Sequence, residues 1–140
     1  MANYYETCRT NYFRVIDEGR YQALFNSLTA EDEIHDFTET RDGVTWHAFG
    51  SYSYITFIHT DIDGEEEYDM DLFYDELQDI LPDGEACILM GAGYEKLRYV
   101  TGYATVVTKD DIKTVNIKNE ALKIARDLLK DPNWKTQMEY

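Results

Sequence analysis

Turn-forming residues recur along this chain so closely that only short, neighbouring strands can form between them. Asp42-Gly43, Gly50-Ser51, Gly64, Pro82-Asp83-Gly84 and Lys109-Asp110-Asp111 each interrupt a run of β-branched or aromatic residues or close a helix. Strands joined by so few residues pair antiparallel, because a parallel pair needs a crossover of a dozen residues or more. Three stretches carry helical periodicity instead. Residues 18–28 place Tyr21, Leu24, Phe25 and Leu28 at three- and four-residue spacing behind an Asp17 cap. Residues 68–81 do the same with Met70, Phe73, Leu77, Ile80 and Leu81. Residues 119–129 carry Ala121, Leu122, Ala125, Leu128 and Leu129, expected to face inward.

Predicted strands cover residues 12–16, 34–40, 44–49, 52–58, 85–90, 97–108 and 112–117, with Gly91-Ala92-Gly93 loosening the chain after the fifth. The order is β-α-βββ-α-βββ-α. This is an α+β domain with antiparallel sheets, helices packed to one side, and a plan that admits a duplicated α-β-β-β unit. All 140 residues fit a single domain large enough for a real core. Residues 1–10 read as an N-terminal arm and residues 131–140 as a C-terminal tail carrying Trp134 and Tyr140. The opening is polar and aromatic rather than basic then apolar, so no secretion signal is expected and a cytoplasmic site follows. No apolar run approaches the length of a membrane span. Cys8 and Cys87 form no CxxC and are expected as free thiols.

Charge narrows function. The chain holds 28 acids against 13 bases, a formal net charge of −15. Such a field repels nucleic acid and anionic membranes and attracts basic surfaces. Between Asp42 and Glu95 there is no Lys or Arg, while 12 acids fall within residues 61–85. Ordinary surfaces intersperse both signs. Asp71, Asp75 and Asp79 recur every four residues, so a helix would align them in one stripe at about 5–6 Å between Cβ atoms, of the order of phosphate spacing along a strand. Asp61, Asp63, Glu65, Glu66, Glu67, Asp69, Asp71, Asp75, Glu76 and Asp79 are the candidate partner-binding residues, an acidic loop continued by a helix. A solvated helix face is the plainer reading of the stripe alone. A calcium loop fits less well, since Gly64 is fourth counting from Asp61 where an EF-hand needs its glycine sixth.

His35, His47 and His59 lie twelve residues apart, but pairing about the Asp42-Gly43 turn puts His35 near Phe49 and His47 near Phe37, so the imidazoles do not converge on a metal. No nucleophile elbow, P-loop or complete dinucleotide glycine motif is present. The expectation is a binding protein without catalytic residues, metal or cofactor. Lys118, Lys123, Arg126 and Lys130 on the last predicted helix balance the acidic middle, within one chain or between copies.

Three segments carry a resemblance: residues 3–15 (NYYETCRTNYFRV), residues 94–100 (YEKLRYV) and residues 131–135 (DPNWK). They resemble small acidic accessory proteins of conjugative and phage-like mobile elements of gut bacteria. The resemblance implies a role against host defence, as in anti-CRISPR and anti-restriction proteins, several of which mimic DNA. The partner so implied is a basic nucleic-acid-binding protein such as a Cas effector. The alternative is a regulatory module of a mobile element that binds a relaxase, a replication protein or its operon's own regulator.

Overall fold

A computed structural model describes residues 4–137. Among them the elements run β1 (Tyr5–Thr10), α1 (Glu18–Asn26), β2 (Leu28–Ala30), β3 (Ile34–Asp36), β4 (Glu39–Arg41), β5 (Val44–Trp46), β6 (Phe49–Ser51), β7 (Ile55–Thr60), β8 (Glu66–Tyr68), α2 (Met70–Gln78), β9 (Ala86–Glu95), β10 (Tyr99–Thr108), β11 (Ile112–Asn116) and α3 (Ile117–Leu129). The main sheet has the order β11-β10-β9-β1-β6-β3, with smaller sheets β2-β7-β8 and β4-β5. Every ladder is antiparallel. The α+β class and the three helices stand as expected. No helix among the described residues is long and apolar enough to cross a membrane.

The first correction concerns residues 1–10. Their described part is no arm, because Tyr5–Thr10 is an interior strand between β9 and β6, registered Cys8↔Gly91 and Cys8↔Ser51. Its alternation explains this: Cys8 and Thr10 are buried, while Tyr5, Thr7 and Arg9 face out. Residues 12–16 form only a bridge, Phe13 to His47, but Phe13 is fully buried in edge contact with Tyr21, ring centroids 5.7 Å apart. Of the tail, residues 131–137 are described and Tyr140 lies outside them.

Helix α1 starts where expected, with the Asp17 carboxylate accepting from the Arg20 amide. It ends early, and Leu28 joins β2. Helix α2 is capped by Asp69 and buries Met70, Phe73, Tyr74 and Leu77. Ile80 and Leu81, just beyond it, complete the core. Phe73 links the layers, with Phe49 and Phe57 rings 6.0 Å and 5.8 Å away. The Asp42-Gly43 hairpin forms with both residues at positive φ, 52° and 79°, the two-residue turn whose twist suits a hairpin. Its register sets His35 opposite Gly50, one residue from the expected partner, because Arg41 pairs directly with Val44.

The strand β9 runs straight through Gly91-Ala92-Gly93, where the chain was expected to loosen. A Cβ on Gly91 would lie 2.4 Å from the Tyr103 ring, and one on Gly93 would lie 2.2 Å from the Tyr4 hydroxyl oxygen. These glycines leave room for aromatic rings laid across the sheet. The two helical segments are also followed by different plans: seven short strands in three sheets after α1, three longer strands of one sheet after α2. The halves are not duplicates. Finally, α3 was expected to turn its apolar residues inward, yet none of its residues is buried.

Candidate functional site

The acids of residues 61–79 follow one continuous path: a turn, an edge strand, a cap and a helix. Asp61 builds the turn. Its Oδ1 accepts from the amides of Asp63 and Glu65, each at 2.9 Å, and Gly64 adopts φ 83°. The stretch expected as an acidic loop is therefore a hairpin, since Glu66–Tyr68 pairs with β7 in the register His59↔Glu67. All three residues of β8 are exposed. Glutamates on an exposed edge also discourage pairing with a foreign strand.

Asp69 closes the path into α2 by accepting from the Asp71 amide at 2.9 Å. Asp71 and Asp75 then stand exposed one turn apart on the helix surface. The stripe does not run free to its end. Arg20 on α1 reaches Glu76 at 3.2 Å and Asp79 at 3.4 Å, and the Asp79 hydrogen bond, followed by that of Glu76, raises the guanidinium pKa. By contrast, Asp61, Asp63, Glu65, Glu66, Glu67, Asp69, Asp71 and Asp75 make no ion pair among the described residues. Asp63, Glu65, Glu66, Glu67, Asp71 and Asp75 are the members left to project into solvent.

One further carboxylate belongs to this surface. Glu6 accepts from the Tyr103 hydroxyl at 2.8 Å. Burial, then the charges of Glu6, Asp71 and Asp69, raise the Tyr54 pKa, so these three fields converge on one phenol. Asp71 and Tyr54 also share the lining of a small cleft of about 190 Å³ with Met70, Tyr74 and Tyr103. Only the tertiary pairing of β1 with β9 brings Glu6 here. The period-two alternation of Glu6, Cys8 and Thr10 is the sequence signal that could have found it.

The remaining candidates resolve into structural roles. No three His, Cys, Asp or Glu side chains among the described residues are grouped so as to hold a metal ion. His47 is buried between the Glu18 carboxylate at 2.6 Å and the Thr38 hydroxyl at 3.2 Å. His35 stacks on Phe37. Glu85 belongs to the fold rather than the surface: it accepts from the Arg14 backbone amide and guanidinium at 3.1 and 2.9 Å. Burial pushes the Cys8 thiol up to about 11 and raises that of Cys87 as well, so neither is a ready nucleophile. Searches of protein-family models, curated proteins and solved structures found no match to this chain.

Proposed function

We propose that this chain inhibits a host nucleic-acid-targeting defence system, most directly an anti-CRISPR role, by presenting its acidic ribbon to the basic groove of a Cas effector. The observation that carries the reading is the ribbon from Asp61 to Asp75, in which eight carboxylates follow one path without a cationic partner among the described residues. A turn pinned by Asp61, a strand and a capped helix hold these groups on ordered backbone. A cationic groove that meets them loses little ordering entropy on their side. Carboxylates on such a frame offer Lys and Arg the charge-assisted bonds that phosphates offer. The resemblance to accessory proteins of mobile elements directs the reading to host defence rather than to basic proteins in general.

The test is protection of target DNA from purified Cas nuclease complexes by the native chain and by charge-reversed variants. Asp71→Lys with Asp75→Lys is expected to abolish protection. Reversal of Asp79, already held by Arg20, is expected to cost less. Full protection by the double variant defeats the mimicry, and absence of protection against every nuclease tried defeats the role. Recovery of a relaxase or replication protein as the bound partner would favour the regulatory alternative.

A further inference from the structure

The main sheet has two faces of opposite character. One packs on α1 and α2. The other carries no helix from this chain except at one end, where Ile117 of α3 lies 3.6 Å from the position a Gly102 side chain would occupy. Outward on β9 stand Met90, Ala92 and Tyr94, all exposed, and on β10 Val100, Gly102 and Ala104. Val100 is 72% exposed and Met90 49%. The outward positions of β1 are Tyr5, Thr7 and Arg9, and those of β11 are Lys113 and Val115. None of these is a carboxylate, in a chain with 28 of them.

Helix α3 matches this face in kind. Ile117, Ile124, Leu128 and Leu129 are exposed, Leu128 by 78%. It is held as a helix by the Asn116 cap and by Lys130 in the left-handed conformation at its C-terminus. It is therefore formed, apolar along one side, and not buried at any residue.

From this we infer that the chain is a symmetric dimer, in which α3 of each copy seats on the outward sheet face of the other. Three observations select a second copy as the occupant. First, the face and the helix that would cover it belong to one sequence: Ala92 and Ala104 are small outward residues flanking Gly102, which Ile117 of the same chain covers, and α3 supplies exposed Ile124, Leu128 and Leu129. An isologous contact satisfies both at once. Second, at net charge −15 the copies approach best through a face whose outward strand positions carry no acids. Third, the area suffices. Four strands at about 4.8 Å spacing, with one side of α3, offer about 700 Å² per copy. Both copies together then bury about 1,400 Å², within the range of a stable interface.

Light scattering on the eluted full chain, from low to high micromolar concentration, tests this. The native protein is expected at twice the chain mass. Met90→Glu on the face and Leu128→Glu on the helix should each give the single mass with an unchanged far-ultraviolet dichroism spectrum, since both positions are exposed. The native melting temperature should also rise with protein concentration. A native chain of single mass at high micromolar concentration overturns the inference, as does a double mass that survives both substitutions. Loss of the dimer in one variant alone overturns the seating of α3 on the partner's sheet face. None of these outcomes depends on binding to a nuclease, so they are read independently of the proposed inhibition.

Discussion

At the scale of single residues, acids that look equivalent in the sequence do different work. Glu85 is largely covered and accepts from Arg14 through both amide and guanidinium, whereas Asp75 stands in solvent. Glu85→Ala leaves the Arg14 amide without that acceptor and is expected to destabilise the fold by about 1–3 kcal/mol, read by urea denaturation. Asp75→Ala is expected within about 0.5 kcal/mol of the native chain. The Cys8 thiol gives a pH signature. Its pKa is raised by burial, then by the Glu6 charge, from 9.0 to about 11. The folded state keeps the proton that the unfolded chain loses earlier. This contribution to stability is therefore complete below about pH 9 and is lost as pH rises toward 11. Chemical denaturation across that window should show falling stability, and alkylation of the native thiols at neutral pH should be slow until the chain unfolds.

At the scale of elements, what was legible had local causes. Asp17 before an apolar helical period, and Asp42-Gly43 between two strand-like runs, each fix a conformation through their own backbone chemistry, and both behave as expected. The misread elements depend on partners distant in sequence. Glu6-Thr7-Cys8-Arg9 looks like a polar arm until β9 and β6 flank it. Glu66 and Glu67 have little strand preference of their own, and it is the ladder with β7 that makes them a strand. Gly91 reads as a breaker, but its missing side chain is where Tyr103 lies. Gly91→Ala should therefore displace that ring and its bond to Glu6, costing about 1–3 kcal/mol in thermal or urea unfolding. A similar change at Gly43, where no atom lies within 4 Å, would act only through its positive φ. The apolar period of α3 gives a helix, yet none of its residues is buried. Periodicity reports that a face needs covering, and does not say whether the cover lies in the same chain.

At the scale of the whole molecule, charge and apolar surface are segregated. Ten of the 28 acids gather on the β7–β8 hairpin and along α2 with its two caps. The sheet face away from α2 is free of carboxylates at the outward positions of β1, β9, β10 and β11. The candidate acids were visible in sequence because an absence of Lys and Arg needs no folding to be seen. That Arg20 would take Glu76 and Asp79 out of the set was not visible, since α1 and α2 meet only in three dimensions. A dimer built on the outward face would leave both acidic ribbons exposed, giving two anionic surfaces on one particle. Binding to a cationic groove should be fast at low ionic strength and should weaken as salt rises, because screening acts on exposed charges.

The most direct measurement is competition. The labelled chain is bound to a purified Cas nuclease complex at low salt, and duplex DNA bearing the target is titrated in while the label is followed. Mimicry requires that the two exclude one another, so the chain should be displaced by DNA, and Asp71→Lys with Asp75→Lys should abolish binding beforehand. A ternary complex holding both chain and DNA, or binding indifferent to those reversals, would contradict it.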